Sequence, residues 1–227
     1  MIRIEHVETY GWEAAIRGMR NPKNSWDKSD SICSFRCYPG YDSNGHFDID
    51  KCELTHEPSI GENDLKLMKT LGSAGAVHGK FMRMITVTLD ITAPLYWWKE
   101  FDTYKVGTVA NSCSTMHKIH AKEFTLDDFS HEHLTPNIRE RCFRTIIHAL
   151  NDAREMFLET KDKKWWWQMI QLLPTSYNQR RTIQLNYEVL RGMYAYRQNH
   201  KLDEWREFCK WIETLPYAGD LLVGEAK

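Results

Sequence analysis

The sequence predicts an α+β fold, because one stretch alternates like a β-strand while several others repeat like helices. Positions 85–92 alternate between apolar and polar side chains, and a period of two buries one face of a strand. Positions 138–157 carry apolar residues at helical spacing, as in a helix with one buried face. The apolar strand positions are Ile85, Val87, Leu89 and Ile91; the helical positions are Ile138, Cys142, Ile146, Leu150, Ala153 and Phe157.

Composition argues against several broad classes of protein. The 227 residues are enough for one well-buried domain, so we expect a single domain over 1–227. Basic and acidic residues number 30 and 31, which argues against a general nucleic-acid binder. No apolar run approaches the ~20 residues that span a membrane, and the first residues lack the apolar core of a signal peptide. Six cysteines without such a signal suggest reduced thiols, and we therefore expect a cytoplasmic protein.

The N-terminal third predicts one strand and two helices. Residues 1–8 alternate Ile2 and Ile4 with polar residues and predict a strand. Residues 12–20 predict a short helix, acidic at its start and basic at its end, as the helix dipole favours. Residues 61–71 predict a second helix, capped by Gly72, with three apolar residues directed inward. These inward residues are Leu65, Met68 and Leu71.

The segment between these helices, residues 21–58, is polar and shows no helical period, and we interpret it as an insertion. It contains one Cys-x3-Cys pair and one Cys-x3-His pair, with a further histidine between them. Two short pairs of soft ligands separated by a loop are typical of structural zinc sites, which need four N or S ligands in tetrahedral geometry. The alternative is a loop with free thiols. The candidate ligands are Cys33, Cys37, Cys52 and His56, with His46 as a substitute.

The strand at 85–92 leads into a segment with the character of a ligand-binding turn. Ala93-Pro94 ends the strand, and Leu95–Tyr104 predicts a short aromatic helix with Pro94 near its start. The following segment, Gly107–Thr115, is rich in Gly, Ser and Thr. Such a turn after a strand and a helix often presents backbone N–H groups and hydroxyls to an anionic ligand.

The C-terminal half predicts mainly helices. After a loop at 127–136, Thr135 is expected to cap the long helix described above, with Pro136 in its first turn. Further helices are predicted at 165–173, 181–200 and 203–215. Several of the nine tryptophans stand in clusters, which favours a place in the core or a subunit interface over an aromatic wall against a ligand.

Residues 78–117 resemble the core of the flavin-dependent thymidylate synthases. That family has a histidine-bearing turn, a strand ending in Ala-Pro, a helix, and then the motif RHRxxSxNExSxRY. Counted without gaps from Ala93-Pro94, His78 takes the place of the turn histidine, Thr103-Tyr104-Lys105 that of RHR, and Thr108 that of the first Ser. A one-residue slip would instead align Asn111 with the motif Asn and Ser114 with its second Ser. Without the slip, the remaining motif positions are Ala110, Asn111, Cys113, Thr115 and Met116.

The C-terminal region resembles the same family more clearly. The family has Leu-Pro, then an Asn, an Arg eleven residues after that Asn, and a polar segment leading into a helix with Trp or Glu. This chain has Leu173-Pro174, Asn186, Arg197 and Leu202–Trp205. In the predicted 181–200 helix, Asn186 and Arg197 lie three turns apart on one face. Arg197 would then meet either a carboxylate of a neighbouring helix or a pyrimidine nucleotide.

The resemblance implies a twisted, antiparallel-type sheet flanked by helices, with long helices forming a bundle, assembled as a homotetramer whose subunits share active sites. It also implies methylation of dUMP, or a related nucleotide, at C5, with FAD as cofactor and with NADPH and methylenetetrahydrofolate as possible co-substrates. Arg197 would be the catalytic residue that polarises the uracil ring. The implied flavin contacts are His78, Thr103, Tyr104, Lys105, Thr108 and Asn186. The implied nucleotide contacts are Glu100, Asn111, Ser112, Cys113, Ser114 and Thr115.

The chain departs from the family at positions that hold the nucleotide. Two family arginines correspond to Thr115 and Ile170, and a helix Gln corresponds to Glu100. Each lost charge-assisted hydrogen bond is worth about 1.5–3 kcal/mol, so dUMP should bind much more weakly unless other cations compensate. Two other hypotheses stay open: a member without catalysis that serves as a binding or structural module, and a zinc-stabilised interaction protein. The candidate compensating cations are Lys105, Lys118, Arg180 and Arg181.

Overall fold

The structure, a computed structural model, describes residues 2–38, 40–41, 43–46 and 53–223, without the side chains of residues 33–38 and 53–58. The chain packs into two units, each assembled from separate stretches of sequence. The first unit comprises Met1–His6, Leu89–Ile183 and Asn199–Phe208. The second unit comprises Val7–Thr88, Gln184–Gln198 and Cys209–Lys227. The prediction of a single domain over 1–227 stays a prediction.

The structure contains both strands and helices, as predicted. The strands are β1 (Arg3–Tyr10), β2 (Ile32–Tyr38), β3 (Glu53–Ser59), β4 (Thr86–Pro94), β5 (Thr108–Ser112) and β6 (Asn178–Asn186). The helices are α1 (Trp12–Arg20), α2 (Glu62–Ser73), α3 (Leu95–Phe101), α4 (Thr115–Lys118), α5 (Arg144–Thr160), α6 (Lys163–Leu172), α7 (Tyr187–Arg197), α8 (Asp203–Ile212) and α9 (Ala218–Leu221). Among the described residues, no helix has the length and apolar character needed to cross a membrane.

Four strands form the main sheet in the order β1-β4-β6-β5, which puts β5 at one edge. The predicted alternation around β4 is confirmed. Its inward positions from Ile85 to Ile91 are at most 1% exposed, and the residues between them on the strand are half-buried. One face of this strand therefore packs against the core while the other face is more open. The helix predicted at 12–20 is confirmed as α1.

The predicted insertion contains a β-hairpin. Strands β2 and β3 pair in antiparallel fashion, with Ile32 opposite Ser59 and Tyr38 opposite Glu53. Two short 3-10 turns precede the hairpin, at Asn21–Lys23 and Trp26–Lys28. The segment therefore contains a strand pair that the sequence did not predict. The sequence does not predict these strands, because neither alternates regularly between apolar and polar residues.

The long helix α5 begins differently from its prediction. The cap at Thr135 is confirmed, because its carbonyl accepts a hydrogen bond from the N–H of Arg139 at 2.9 Å and its hydroxyl lies 3.5 Å from the N–H of Ile138. A π-helical turn at Ile138–Phe143 follows, so the start of this segment does not keep the regular helical period on which the prediction rests. The predicted inward residues Ile138 and Cys142 are therefore exposed. The buried positions are Phe143, Ile147, Leu150 and Ala153.

The helix predicted at 181–200 is wrong in its first third. Residues 178–186 form the strand β6, in which Ile183 and Leu185 are buried and Thr182 and Gln184 are exposed. The helix α7 begins only at Tyr187. Arg181 to Gln184 contains no residue that forbids a helix, so the neighbouring strands decide the local structure.

Two apolar clusters stabilise the first unit. In one, the ring of Trp97 lies 4.8–5.7 Å from the rings of Trp98, Phe101, Trp205 and Phe208. This places the Trp97-Trp98 pair in the core, one of the two places that the sequence favours for the clustered tryptophans. The other cluster joins α5 and α6. Its buried members are Ile119, Phe124, Phe129, Phe143, Ile147, Leu150, Ala153 and Met169.

Candidate functional site

The segment that carries the motif resemblance forms an edge strand rather than a polar turn. Residues 108–112 are β5, and Ser114 then caps α4. The Ser114 hydroxyl accepts hydrogen bonds from the N–H groups of Met116 and His117, at 3.2 and 3.1 Å. The prediction of a turn over Gly107–Thr115 is therefore wrong in its geometry. Of the implied nucleotide contacts, the exposed ones are Asn111, Ser112 and Cys113, and the half-buried ones are Ser114 and Thr115.

Three of the implied flavin contacts are built into the turn after α3. The Thr103 hydroxyl donates to the carbonyl of Glu100 at 2.7 Å, and the Thr108 hydroxyl donates to the carbonyl of Tyr104. The Tyr104 ring lies 5.9 Å from the ring of Trp205. These hydroxyl protons therefore stabilise the chain itself, while the hydroxyl oxygens keep acceptor capacity. Lys105, between them, is exposed.

Glu100, which stands where the family has a Gln, faces helix α8. Its Oε2 accepts a hydrogen bond from the Trp205 indole at 3.2 Å and lies 3.3 Å from Nε2 of His200. A carboxylate at this place repels a phosphate, whereas the amide of a Gln could donate to one. The structure thus gives Glu100 a structural role in the first unit.

Two of the four candidate cations already have carboxylate partners. Nη2 of Arg180 lies 2.6 Å from Oδ2 of Asp90, and a hydrogen bond from Thr182 together with Arg180 holds the pKa of Asp90 below its usual value. Arg181 packs over Trp98, with its Cζ 4.2 Å from the ring centre. Its Nη1 lies 2.7 Å from Oδ1 of Asp102.

The other two candidates, Lys105 and Lys118, are exposed, and neither forms an ion pair within the part of the chain that the structure describes. Lys105 precedes β5 and Lys118 ends α4, so the two ammonium groups flank the motif segment. These lysines are therefore the cations that a phosphate near this segment could recruit with the least rearrangement.

The remaining implied site residues belong to the second unit. His78 is exposed and precedes a 3-10 turn, Gly79–Arg83. Asn186 is 9% exposed and caps α7, its Oδ1 accepting from the N–H of Val189 at 3.0 Å. Arg197 lies in the last turn of α7 and is half-buried rather than buried. The helix rise separates Asn186 from Arg197 by about 16 Å, so they would contact different parts of a ligand.

A buried ion pair in the second unit was not predicted. Arg20 is 4% exposed and Asp64 is 0% exposed, and the Nε of Arg20 lies 2.6 Å from Oδ1 of the carboxylate. Oδ2 accepts from the hydroxyls of Ser29 and Ser31, at 2.7 and 2.6 Å. No local pattern in the sequence marks either residue as buried. Of the inward residues predicted for α2, Met68 is buried and the other two, Leu65 and Leu71, are half-buried.

The candidate zinc ligands are not described by the structure. Cys52 lies outside the described residues, as do the side chains of Cys33, Cys37 and His56. Among the residues that are described, no group of three or more His, Cys, Asp or Glu side chains could hold a metal ion. The zinc site therefore stays a prediction, to be checked by a metal assay on protein purified without chelator.

No protein-family model and no curated protein sequence matches the chain. Among solved structures, a flavin-dependent thymidylate synthase ThyX from Helicobacter pylori, complexed with FAD and dUMP, is 15% identical with a TM-score of 0.61 over 97% of each chain. A second structure of that enzyme with FAD and dUMP gives 14% identity and a TM-score of 0.63, covering 98% of this chain and 97% of the other. The chain has the fold of the flavin-dependent thymidylate synthases.

This fold confirms the α+β class and the resemblance seen in the sequence motifs. The UMP/dUMP methylase PolB from Streptomyces cacaoi, bound with 5-Br dUMP, shares it too. That protein is 13% identical, with a TM-score of 0.56 over 94% of this chain and 89% of the other. The thymidylate synthase fold therefore spans nearly the whole chain.

Proposed function

We propose that this protein is a flavin-dependent enzyme of pyrimidine nucleotides that methylates dUMP, or a related nucleotide, at C5. The observation that carries the proposal is the match of nearly the whole chain to ThyX structures complexed with FAD and dUMP. PolB, described as a UMP/dUMP methylase, supports the wider substrate class. NADPH and methylenetetrahydrofolate would be the co-substrates, and the proposed location is cytoplasmic. Because the numbers of basic and acidic residues are balanced, we do not expect this protein to bind nucleic acid.

The residues around β5 fit an anionic cofactor in part. The outer edge of this strand pairs with no other strand of the described sheet, so its N–H groups can donate to a ligand. Lys105 supplies an exposed positive charge, and the Thr108 oxygen keeps a lone pair that can accept. These groups of the first unit, with Thr103 and Tyr104, would hold FAD. FAD, when bound, would carry the electrons and the one-carbon unit.

The nucleotide phosphate would depend on lysines rather than arginines. Lys105 and Lys118 would attract it as point charges, beside the exposed polar groups of Asn111 and Ser112. A lysine cannot make the forked, two-point contact that an arginine makes with a phosphate. We therefore expect this protein to bind dUMP less tightly than a site with both motif arginines would.

Arg197 would act on the uracil ring. A guanidinium placed at a carbonyl of the base stabilises the negative charge that develops there as C5 becomes nucleophilic. The position in the last turn of α7 keeps the group half-buried, where a charge interaction is stronger than in open water. The Arg197 charge also acts on the buried Cys209 thiol in the second unit. Burial and the nearby Glu213 raise the pKa of this thiol to about 11, and Arg197 acts in the opposite direction.

Replacing Arg197 tests this role. We expect Arg197→Lys to weaken dUMP binding about tenfold or more while the melting temperature stays near that of the natural protein, because an ammonium cannot reproduce forked contacts to a uracil edge. Calorimetric titration with dUMP, with and without FAD, and melting curves measure both effects. Arg191→Lys is the matched control, since Arg191 lies in the same helix and binds the carbonyl of Gly72 instead. A loss of stability with unchanged dUMP binding would contradict the role.

A binding or structural module without catalysis is the second candidate. It is favoured by the internal engagement of Thr103, Thr108, Ser114 and Asn186, whose side chains already serve the turn and the helix caps. Such a module would bind dUMP or FAD but form no thymidylate in the presence of both co-substrates. Product formation above the level of a protein-free control would rule this candidate out.

The proposed assembly is a homotetramer. Apolar side chains near the exposed β5 edge support it, with Val106 at 89%, Val109 at 67% and Met116 at 49% exposure. Exposed apolar side chains that lie close together favour association with another chain. Light scattering at micromolar concentration tests the assembly, and a monomer would contradict it.

A further inference from the structure

A cavity of about 500 Å³ lies in the second unit, between α1 and the loop that precedes β2. Its volume falls in the range of small-molecule sites. Residues from Trp26 to Ile32 form one side, and they belong to the segment that we interpret as an insertion. None of the residues assigned above to flavin or nucleotide lines this cavity.

The inner wall offers a hydrogen-bond donor beside an acceptor. Arg20 and Ser29 are fixed on the same carboxylate, one on each oxygen of Asp64, at 2.6 and 2.7 Å. Nη1 of Arg20 donates to the carbonyl of Ser25 at 3.1 Å, and Nη2 makes no hydrogen bond to any described residue. The Ser29 hydroxyl donates its proton to Asp64, so its oxygen can still accept a hydrogen bond from a ligand. A lactam edge, which carries one N–H and one C=O, matches this pair.

The side walls suit a flat ring. Trp26 is 50% exposed, and its indole N–H donates to Oδ1 of Asn21 at 2.8 Å, which fixes the plane of the ring. Ile16 and Ile32 add apolar surface. Stacking of a base on an aromatic side chain is favourable for any base, because each has a π-face.

The mouth offers a positive charge. Arg17 lies one helical turn before Arg20, with its side chain 64% exposed and 3.8 Å from the carboxylate of Glu13. Exposed ion pairs of this kind contribute little stability, so an incoming anion can replace the Glu13 carboxylate as the partner of the Arg17 guanidinium. A forked contact to a phosphate is the contact that arginine makes best.

We propose that this cavity binds a nucleoside monophosphate with a lactam-bearing base. The base edge contacts Arg20 and Ser29, the base face stacks on Trp26, and the phosphate binds Arg17. None of these residues is used by the proposed function, so this proposal does not depend on it.

Titration calorimetry with GMP tests the site, because this purine has a lactam edge and is not a pyrimidine substrate. The natural protein should show saturable binding of GMP. Trp26→Leu should weaken it about tenfold, the loss expected for one stacked base. Trp167→Leu is the matched control, since Trp167 is 44% exposed and lies elsewhere; it should leave GMP binding unchanged.

Guanosine lacks the phosphate of GMP, so its binding reports the base contacts without the phosphate contact. Arg17→Gln should weaken GMP about tenfold, as the loss of one charge-assisted contact predicts, and should leave guanosine binding as it was. Both substituted side chains are largely exposed, so melting temperatures should not move. Absence of saturable GMP binding, equal binding by Trp26→Leu, or equal weakening of GMP and guanosine by Arg17→Gln would each overturn the proposal.

Discussion

Asp64→Asn is expected to lower the free energy of unfolding by about 3–5 kcal/mol, because it leaves the charge of a buried arginine without its counter-charge. Arg20 is 4% exposed, so water cannot replace the lost carboxylate. The carboxylate also gathers the hydroxyls of Ser29 and Ser31 and the N–H groups of Asp30 and Ser31. An asparagine keeps the shape but carries one acceptor instead of two, so part of this network is lost as well.

Chemical denaturation measures the effect, and Asp220→Asn is the control. Asp220 pairs with Lys69 at 2.7 Å, but the two side chains are 34% and 55% exposed. Water screens such a pair, so its loss should cost less than about 1 kcal/mol. If the two substitutions had equal effects on the unfolding free energy, burial would not be the source of the stability.

The same carboxyl should make stability depend on pH in acid. Burial alone would raise the pKa of Asp64, but hydrogen bonds from Ser31, Ser29 and Arg20 outweigh burial and hold it below its usual value. The stability from this group is therefore fully present above the unfolded-state pKa and is lost as the pH falls through the folded-state pKa. Asp64→Asn should flatten this part of the curve of unfolding free energy against pH.

Trp205→Ala is expected to cost about 3–5 kcal/mol of unfolding free energy, the range for removing a large aromatic side chain from a core. Trp205 is 0% exposed, and its ring lies 4.9 Å from that of Trp97 and 5.9 Å from that of Phe208. The indole N–H also donates to Glu100. Removal therefore leaves a cavity in the first unit and also breaks this hydrogen bond.

Denaturation of Trp167→Ala provides the comparison for this cluster. Trp167 is 44% exposed, so its removal should change the unfolding free energy by a small fraction of the Trp205 effect. A small effect at Trp205 would mean that the cluster collapses around the missing ring, and would contradict the close packing described here.

The sequence predicted best where one physical constraint dominates a segment. The strand β4 has a buried apolar face, and its period of two survives in the residues from Ile85 to Ile91. The helix α1 has its charges placed as the helix dipole favours. The part of β6 from Arg181 onward was predicted as helix. Sheet pairing with β4 and β5 decides its structure, and such pairing leaves only a weak pattern in the sequence.

The candidate site was less predictable from the sequence than the strand β4 or the helix α1. The motif positions Thr103, Thr108 and Ser114 could be assigned by counting, but their hydroxyls turn inward to stabilise turns and a cap. The ion pair between Arg20 and Asp64 joins residues 44 positions apart, and no local sequence pattern predicts such a contact. The π-helical turn before α5 departs from the regular helical period, and Ile138 and Cys142, predicted inward from that period, are exposed.

The absorption spectrum of the purified protein, before and after addition of dUMP, tests the central claim most directly. A flavin-dependent enzyme of pyrimidine nucleotides should take up FAD and show the visible flavin bands after removal of unbound cofactor. Addition of dUMP should then perturb those bands, because the base would lie against the flavin. A protein that retains no FAD after incubation with an excess of it, or flavin bands that dUMP leaves unchanged at saturating concentration, would contradict the proposed function.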